Sequence, residues 1–181
     1  MKRQYVTICI ITILSLFVIS GCGKKEYQPV AINEKTDKCD ICNMAVKDNQ
    51  FSTEIFLDNG KSMVFDDMGC MDKWVKKNKD KKISITYVRD YNSKKWIDSK
   101  KATYVYDKSI RTAMAYNVIA FIDKKDAQKF IADHKGKLLS YDELQKHSWV
   151  QNEDMVKEMK KKKMEMDSAK KDMNTGDSNS H

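Results

Sequence analysis

Residues Cys39-Asp40-Ile41-Cys42-Asn43-Met44 set two thiols three positions apart and a thioether two positions further on. Four chemistries fit such a step: a disulfide, a structural zinc knuckle, a thiol redox pair, or a seat for a softer metal ion. Structural zinc takes four nitrogen or sulfur ligands. Only Cys70 is left to join Cys39 and Cys42, and the histidines, His134, His147 and His181, all lie far down the chain. A thioredoxin-like pair sits between a strand and a helix that lowers its thiol pKa. This motif precedes the first clear strand, and the single proline, Pro29, comes before it. A Cys39–Cys42 disulfide is chemically simple in an exported protein but leaves Met44 without a role.

A thiolate paired with a thioether selects Cu(I) over harder cations, because both sulfurs are polarisable donors. If the segment is extended, Cys42 and Met44 point to one face, since strand side chains alternate with a period of two. Cu(I) accepts a low coordination number, so one more sulfur would complete the site. Met114, in Thr112-Ala113-Met114-Ala115-Tyr116, is the candidate, with ordinary core packing as the alternative.

Two similar units position these residues. Ser52 to Leu57 alternates as a strand, Asn59-Gly60 makes a tight turn, and Lys61 to Phe65 alternates again. Asp66-Asp67 then caps a helix to about Asn78, with Met68, Met71, Trp74 and Val75 on one face. Cys70 and Met71 are expected to pack inward, with a direct metal role for Cys70 as the alternative. Lys82 to Arg89 is a strand with Ile83, Ile85 and Tyr87 on one side. The later half repeats the plan: strands at Ala102 to Tyr106 and Asn117 to Phe121, a helix from Asp123 to about His134, and a strand at Lys137 to Ser140. Placing Phe65 on Phe121 aligns Asp67 with Asp123 and Trp74 with Phe130, an offset of 56 residues. The expected fold is α+β: two ββαβ repeats, 39–90 and 91–146, packed together because neither alone buries much apolar surface.

The flanks set the compartment. Lys2 and Arg3 precede an apolar run, Val6 to Ile19, that ends in Ser20-Gly21-Cys22. Residues 1–21 are expected to be a secretory signal. The junction resembles a bacterial lipoprotein signal, in which Cys22 would be acylated and begin the mature chain. Residues 22–38 are then a polar tether. Removing Lys2 and Arg3 lowers the formal net charge from +8 to +6. In an exported, tethered protein that charge suits anionic lipid headgroups rather than nucleic acid. Of five cysteines, Cys9 is expected to leave with the signal and Cys22 to carry lipid; Cys39, Cys42 and Cys70 remain, an odd count that flags a reactive or ligating thiol. Residues 147–181 form a charged tail, expected to be partly helical or disordered. It carries Met155, Met159, Met164, Met166 and Met173, either weak copper contacts or simply helix formers.

Three segments in this order, CDICNMAV (39–46), FDDMGCM (65–71) and TAMAYNVIAF (112–121), together resemble the NosL family. These are lipoprotein accessory factors of copper assembly in nitrous oxide reductase. The resemblance covers roughly residues 36–142. It implies a Cu(I)-binding metallochaperone, not an enzyme, anchored by lipid to the outer face of the cell membrane. It implies transfer of copper, with ABC-transporter-linked partners, toward the copper centres of the reductase, and a fold of two ββαβ units. The family's copper motif maps onto Cys42 and Met44, with Cys39 adjacent and Met114 as a further ligand. Two features depart from the family: no histidine lies near the first motif, and the Lys- and Met-rich tail is not part of the pattern. An extracytoplasmic thiol–disulfide oxidoreductase using Cys39 and Cys42, and a copper storage or sensing lipoprotein, are the rivals.

Overall fold

Strands β1 (Thr53–Leu57) and β2 (Ser62–Phe65) form an antiparallel hairpin across Asn59-Gly60. Gly60 takes φ 87°, a left-handed turn position open to glycine at little cost. The structure, a computed structural model, describes residues 26–175; the expected signal and Cys22 lie outside the described residues. Helix α1 (Met68–Lys77) follows the hairpin, and β3 (Ile83–Arg89) returns along the free edge of β1. The later half repeats this with β5 (Thr103–Tyr106), β6 (Val118–Phe121), helix α2 (Lys124–His134) and β7 (Lys137–Leu139). In both sheets the first strand is central, with the second and third flanking it: β2-β1-β3 and β6-β5-β7. The fold is α+β, built on two ββαβ repeats.

The details depart from the sequence expectation in three places. First, a short strand β4 (Trp96–Asp98) adds to the edge of β3. The turn is closed by Asp90, whose N–H donates to Lys95 O at 2.8 Å and whose carboxylate takes the Ser93 N–H at 2.8 Å. Residues 96–98 therefore belong to the first sheet, although a boundary at residue 90 assigns them to the second unit. Second, the β1–β3 register shifts: Phe56 pairs with Ile85 but Leu57 pairs with Ile83. The extra residue turns Ile83 into the α1-side core, while Tyr87 stacks edge-on against Phe56 on the other face. Third, residues 26–38 pack on the protein rather than trailing from it. Tyr27 lies 5.2 Å from the Phe56 ring, the Tyr87 hydroxyl donates to Tyr27 O at 2.7 Å, and Val30 N–H donates to Glu54 Oε2 at 3.1 Å.

Helix α1 is amphipathic and well capped. Asp67 accepts the Gly69 N–H at 3.0 Å, and Lys76 and Lys77 sit in the last turn, where the helix dipole favours cations. It buries Cys70 and Trp74 against Ile55, Leu57 and Phe65, and Met68 against Val88 and Tyr104. Each such apolar side chain contributes about 1.5–3 kcal/mol. The two units dock through one core shared by Val88, Tyr104 and Val118, and through backbone contact: Tyr91 N–H donates to Ala120 O at 2.8 Å.

Beyond the repeats come a short helix α3 (Tyr141–Gln145), closed by a Ser140/Glu143 capping box, and a long helix α4 (Glu153–Thr175). Of the charged tail, Glu153–Thr175 is thus helical, and the described residues before it, 147–152, are irregular. Among the described residues no helix is long and apolar enough to cross a membrane.

Candidate metal centre

The Cys39–Met44 segment is a tight loop. Lys38 and Ala45 bridge antiparallel, Cys39 N–H donates to Met44 O at 2.9 Å, and Asn43 N–H donates to Cys39 O at 2.8 Å. Asn43 sits at φ 58°, a conformation asparagine tolerates better than most residues. Because residues 40–42 turn, the period-two argument that sets Cys42 and Met44 on one face does not apply.

The loop folds its two thiols onto the start of α1. The sulfurs of Cys39, Cys42 and Cys70 and a carboxylate oxygen of Asp66 all lie within 4.8 Å of one another. Cys70 comes from the first turn of α1, and Asp66 from the residue before its cap. Cys39 and Cys70 are each 1 % exposed and Asp66 is 6 % exposed, whereas Cys42 is half-buried and forms the open side. The Cys42 thiol donates to Asp66 Oδ2 at 3.1 Å. Asp66 Oδ1 is buried with no hydrogen-bond partner among the described residues. A buried carboxylate oxygen left this way is costly unless something else occupies its lone pairs. Metal–sulfur bonds of about 2.3 Å allow two ligands to sit up to about 4.6 Å apart. The cluster therefore fits a bound ion with little contraction.

The three thiols differ in acidity. Cys39 is pulled down to about 7 by a hydrogen bond from the Cys70 thiol and by backbone N–H groups of Cys42, Asp66 and Ile41, against the opposing effect of burial. Cys42 is pushed up to about 12, first by burial and then by its hydrogen bond to Asp66. Cys70 is raised because its proton is held on the Cys39 sulfur, with burial and Asp66 adding to this. Asp67 is raised to about 6 by complete burial, despite accepting N–H groups from Gly69 and Met114.

Asp67 also ties the second repeat to the site, accepting the Met114 N–H at 2.9 Å. The Met114 loop is held from within by Thr112, whose Oγ1 takes the N–H groups of Tyr116 and Asn117 at 3.1 and 3.2 Å. Ala115 (φ 59°) and Asn117 (φ 63°) both lie in the left-handed region, strained for alanine. Tyr116 from this loop presses on α1 at Gly69, where a Cβ would lie 2.1 Å from the ring.

Of the four ligands expected from sequence, Cys39 and Cys42 meet in the thiol pocket. Met44, 46 % exposed, and half-buried Met114 line a shallow apolar groove of about 400 Å³. The two sites share the Cys39–Met44 loop. The structure adds Asp66, which the sequence offered only as a cap, and Cys70, for which a metal role was the alternative to inward packing. One signal was available: a helix needs one capping carboxylate, and Asp66-Asp67 supplies two. No described histidine joins the cluster: His147 stacks on Tyr106 and Trp149, and His134 on Phe130.

The sequence model of the NosL family matches residues 29–149. No curated protein matches the chain. Among solved structures, the crystal structure of the copper chaperone NosL from Shewanella denitrificans is similar, with TM-score 0.57 and 25 % identity. The likeness covers 65 % of this chain and 96 % of that one. The match takes in both repeats and every member of the thiol pocket, and the chain belongs to the NosL family.

Proposed function

We propose that this protein is a Cu(I) chaperone, held by a lipid on Cys22 at the outer face of the cell membrane. It would pass its ion to ABC-transporter-linked maturation proteins and on to nitrous oxide reductase. The observation that carries the copper assignment is the convergence of three thiols and a carboxylate oxygen of buried Asp66 within 4.8 Å of one another. Soft sulfur donors without imidazole favour a monovalent, polarisable ion. Family membership and the similar copper chaperone support the same cargo.

The chemistry asked of the protein is ligand exchange. Cys39 and Cys70 are sealed inside, so they hold the ion away from water and oxidant. Cys42 stands at the opening, where an acceptor's sulfur joins before the old bond breaks. Loading displaces protons from the raised Cys42 and Cys70 thiols, and unloading returns them. A thiol–disulfide oxidoreductase would need its most acidic thiol accessible to substrate. Here the acidic thiol, Cys39, is the buried one, and the accessible thiol, Cys42, has a raised pKa. Zinc is the second reading: three thiols and Asp66 make the four donors that zinc takes.

The test is competition between a chromophoric Cu(I) chelator and the detergent-solubilised full chain under anaerobic reducing conditions. Cys42→Ser should weaken Cu(I) binding more than about 100-fold, beyond what loss of an outer-shell partner costs. Unchanged affinity would rule out the pocket. Preference for Zn(II) over Cu(I) would move the assignment to the second reading.

A further inference from the structure

Helix α4, which starts beyond the residues matched by the NosL family, leaves the body of the protein partway along its length. The entry to it is held. Gln151 Nε2 donates to Met114 O at 2.8 Å, Asn152 N–H donates to Ala115 O at 2.9 Å, and buried Met155 takes the Asn117 amide on its sulfur at 3.5 Å. From Lys160 to Ala169, by contrast, every side chain is exposed. The helix still runs on to Thr175, about 24 Å beyond Met159 at 1.5 Å per residue. A lone helix of that length is marginal in water, and helices in proteins owe their stability chiefly to an apolar face packed on something.

Written in heptads, α4 has such a face. With Met159 at position a, Met166 and Met173 fall at the next two a positions. The d positions beyond Met159 hold Lys162 and Ala169. The seam begins in the shallow groove that Met159 and Met166 line together with Met44 and Met114. Its flanks are charged with opposite sign: g holds Glu158, Glu165 and Asp172, and e holds Lys163 and Lys170. Lys162 interrupts the seam, and its amine reaches back to Glu158 at 2.9 Å. A single lysine in a seam lowers stability and restricts the choice of partner.

The flanks select that partner. In a parallel pair, g of one helix meets e of the next heptad on the other, so Glu165 of one copy meets Lys170 of its mate, and the reverse. An antiparallel pair sets g against g and e against e, like charge on like charge along both flanks. The competing contact within the chain is loose: Lys161 lies 4.0 Å from Glu165, with both side chains exposed. We propose that α4 is a dimerisation helix that pairs in parallel, about a two-fold axis, with α4 of a second copy of this chain. So short a seam buries less than the roughly 1,200–2,000 Å² of a lasting interface, so the pairing is weak and reversible. Holding both copies in one membrane raises their effective concentration. That confinement rests on the lipid reading of Cys22; the pairing itself does not.

The experiment is diamide cross-linking of the full chain in membrane vesicles, with Cys39, Cys42 and Cys70 replaced by serine. A cysteine is then placed on the seam, Met166→Cys, or at an f position off it, Met164→Cys. The seam variant should give at least about tenfold more disulfide-linked dimer, because only a positions come within bonding reach across a parallel pair. Glu165→Lys added to the seam variant sets lysine against Lys170 at two symmetric places and should cut the yield about fivefold. Adding Lys170→Glu as well should restore it. Circular dichroism checks that each variant stays helical. Sedimentation of the detergent-solubilised chain carrying only the charge changes repeats the test with all its cysteines in place. Equal yields on and off the seam, no dimer, or a yield that rises with Glu165→Lys overturns the proposal. A seam cross-link in a chain recovered outside the membrane fraction would refute the lipid anchor and leave the pairing standing, so the two failures are distinct.

Discussion

Asp66 and Asp67 are neighbours in the chain with opposite duties. Asp66 turns an oxygen into the thiol pocket, while Asp67 caps α1 and holds the Met114 loop. Complete burial raises the Asp67 pKa from 3.8 to about 6. The native state therefore binds a proton more readily than the unfolded chain between about pH 4 and pH 6. Its contribution favours folding at low pH and declines as pH rises through that window, by an amount on the order of 3 kcal/mol. Asp67→Asn keeps the size and an acceptor oxygen but cannot ionise. Urea unfolding of the metal-free chain should show the decline between pH 4 and pH 6 in the unaltered protein and a flatter profile in Asp67→Asn. Identical pH profiles would show that Asp67 titrates normally. Of this residue-level detail the sequence showed only a cap. The Cys42–Asp66 bond joins residues 24 apart, and the Asp67–Met114 bond residues 47 apart, so no local pattern announces either one.

At the level of elements, most of the fold was legible. Alternating strands and an aspartate-led helix recur, with Phe65, Asp67 and Trp74 offset by 56 residues from Phe121, Asp123 and Phe130, and in both sheets the first strand of the unit is central; the glycine turn of the first unit has no counterpart in the second. What was not legible is short or nonlocal. Strand β4 has three residues and owes its place to the edge of β3, the β3 bulge is a pairing effect, and the Cys39–Met44 turn is stabilised by bonds within the loop itself. The contact between α1 and the Met114 loop is likewise a tertiary event, and it gives a sharp prediction. Gly69→Ala gains about 1 kcal/mol of helix propensity but drives a methyl into the Tyr116 ring. Overpacking of this kind costs about 1–3 kcal/mol. The variant should be less stable in urea than the parent, although alanine is the better helix former. A more stable variant would show that Tyr116 yields without strain.

For the whole molecule, four segments from different parts of the chain meet around the thiol pocket and the groove beside it: the Cys39–Met44 loop, the start of α1, the loop of residues 112–117, and α4. The first three lie within the family match, and α4 extends beyond it. From sequence, α4 reads as a solvated, charged tail; its docking became visible only through the bonds that Gln151 and Asn152, just before it, make to Met114, Ala115 and Lys108.

The most direct test of the central claim is copper X-ray absorption on the full chain loaded with one Cu(I) under anaerobic conditions. The account predicts a first shell of sulfur from the Cys39, Cys42 and Cys70 pocket, with no imidazole scattering, and loss of that shell when the three cysteines are replaced by serine. A nitrogen-rich shell, or a sulfur shell that survives replacement of all three, would contradict it.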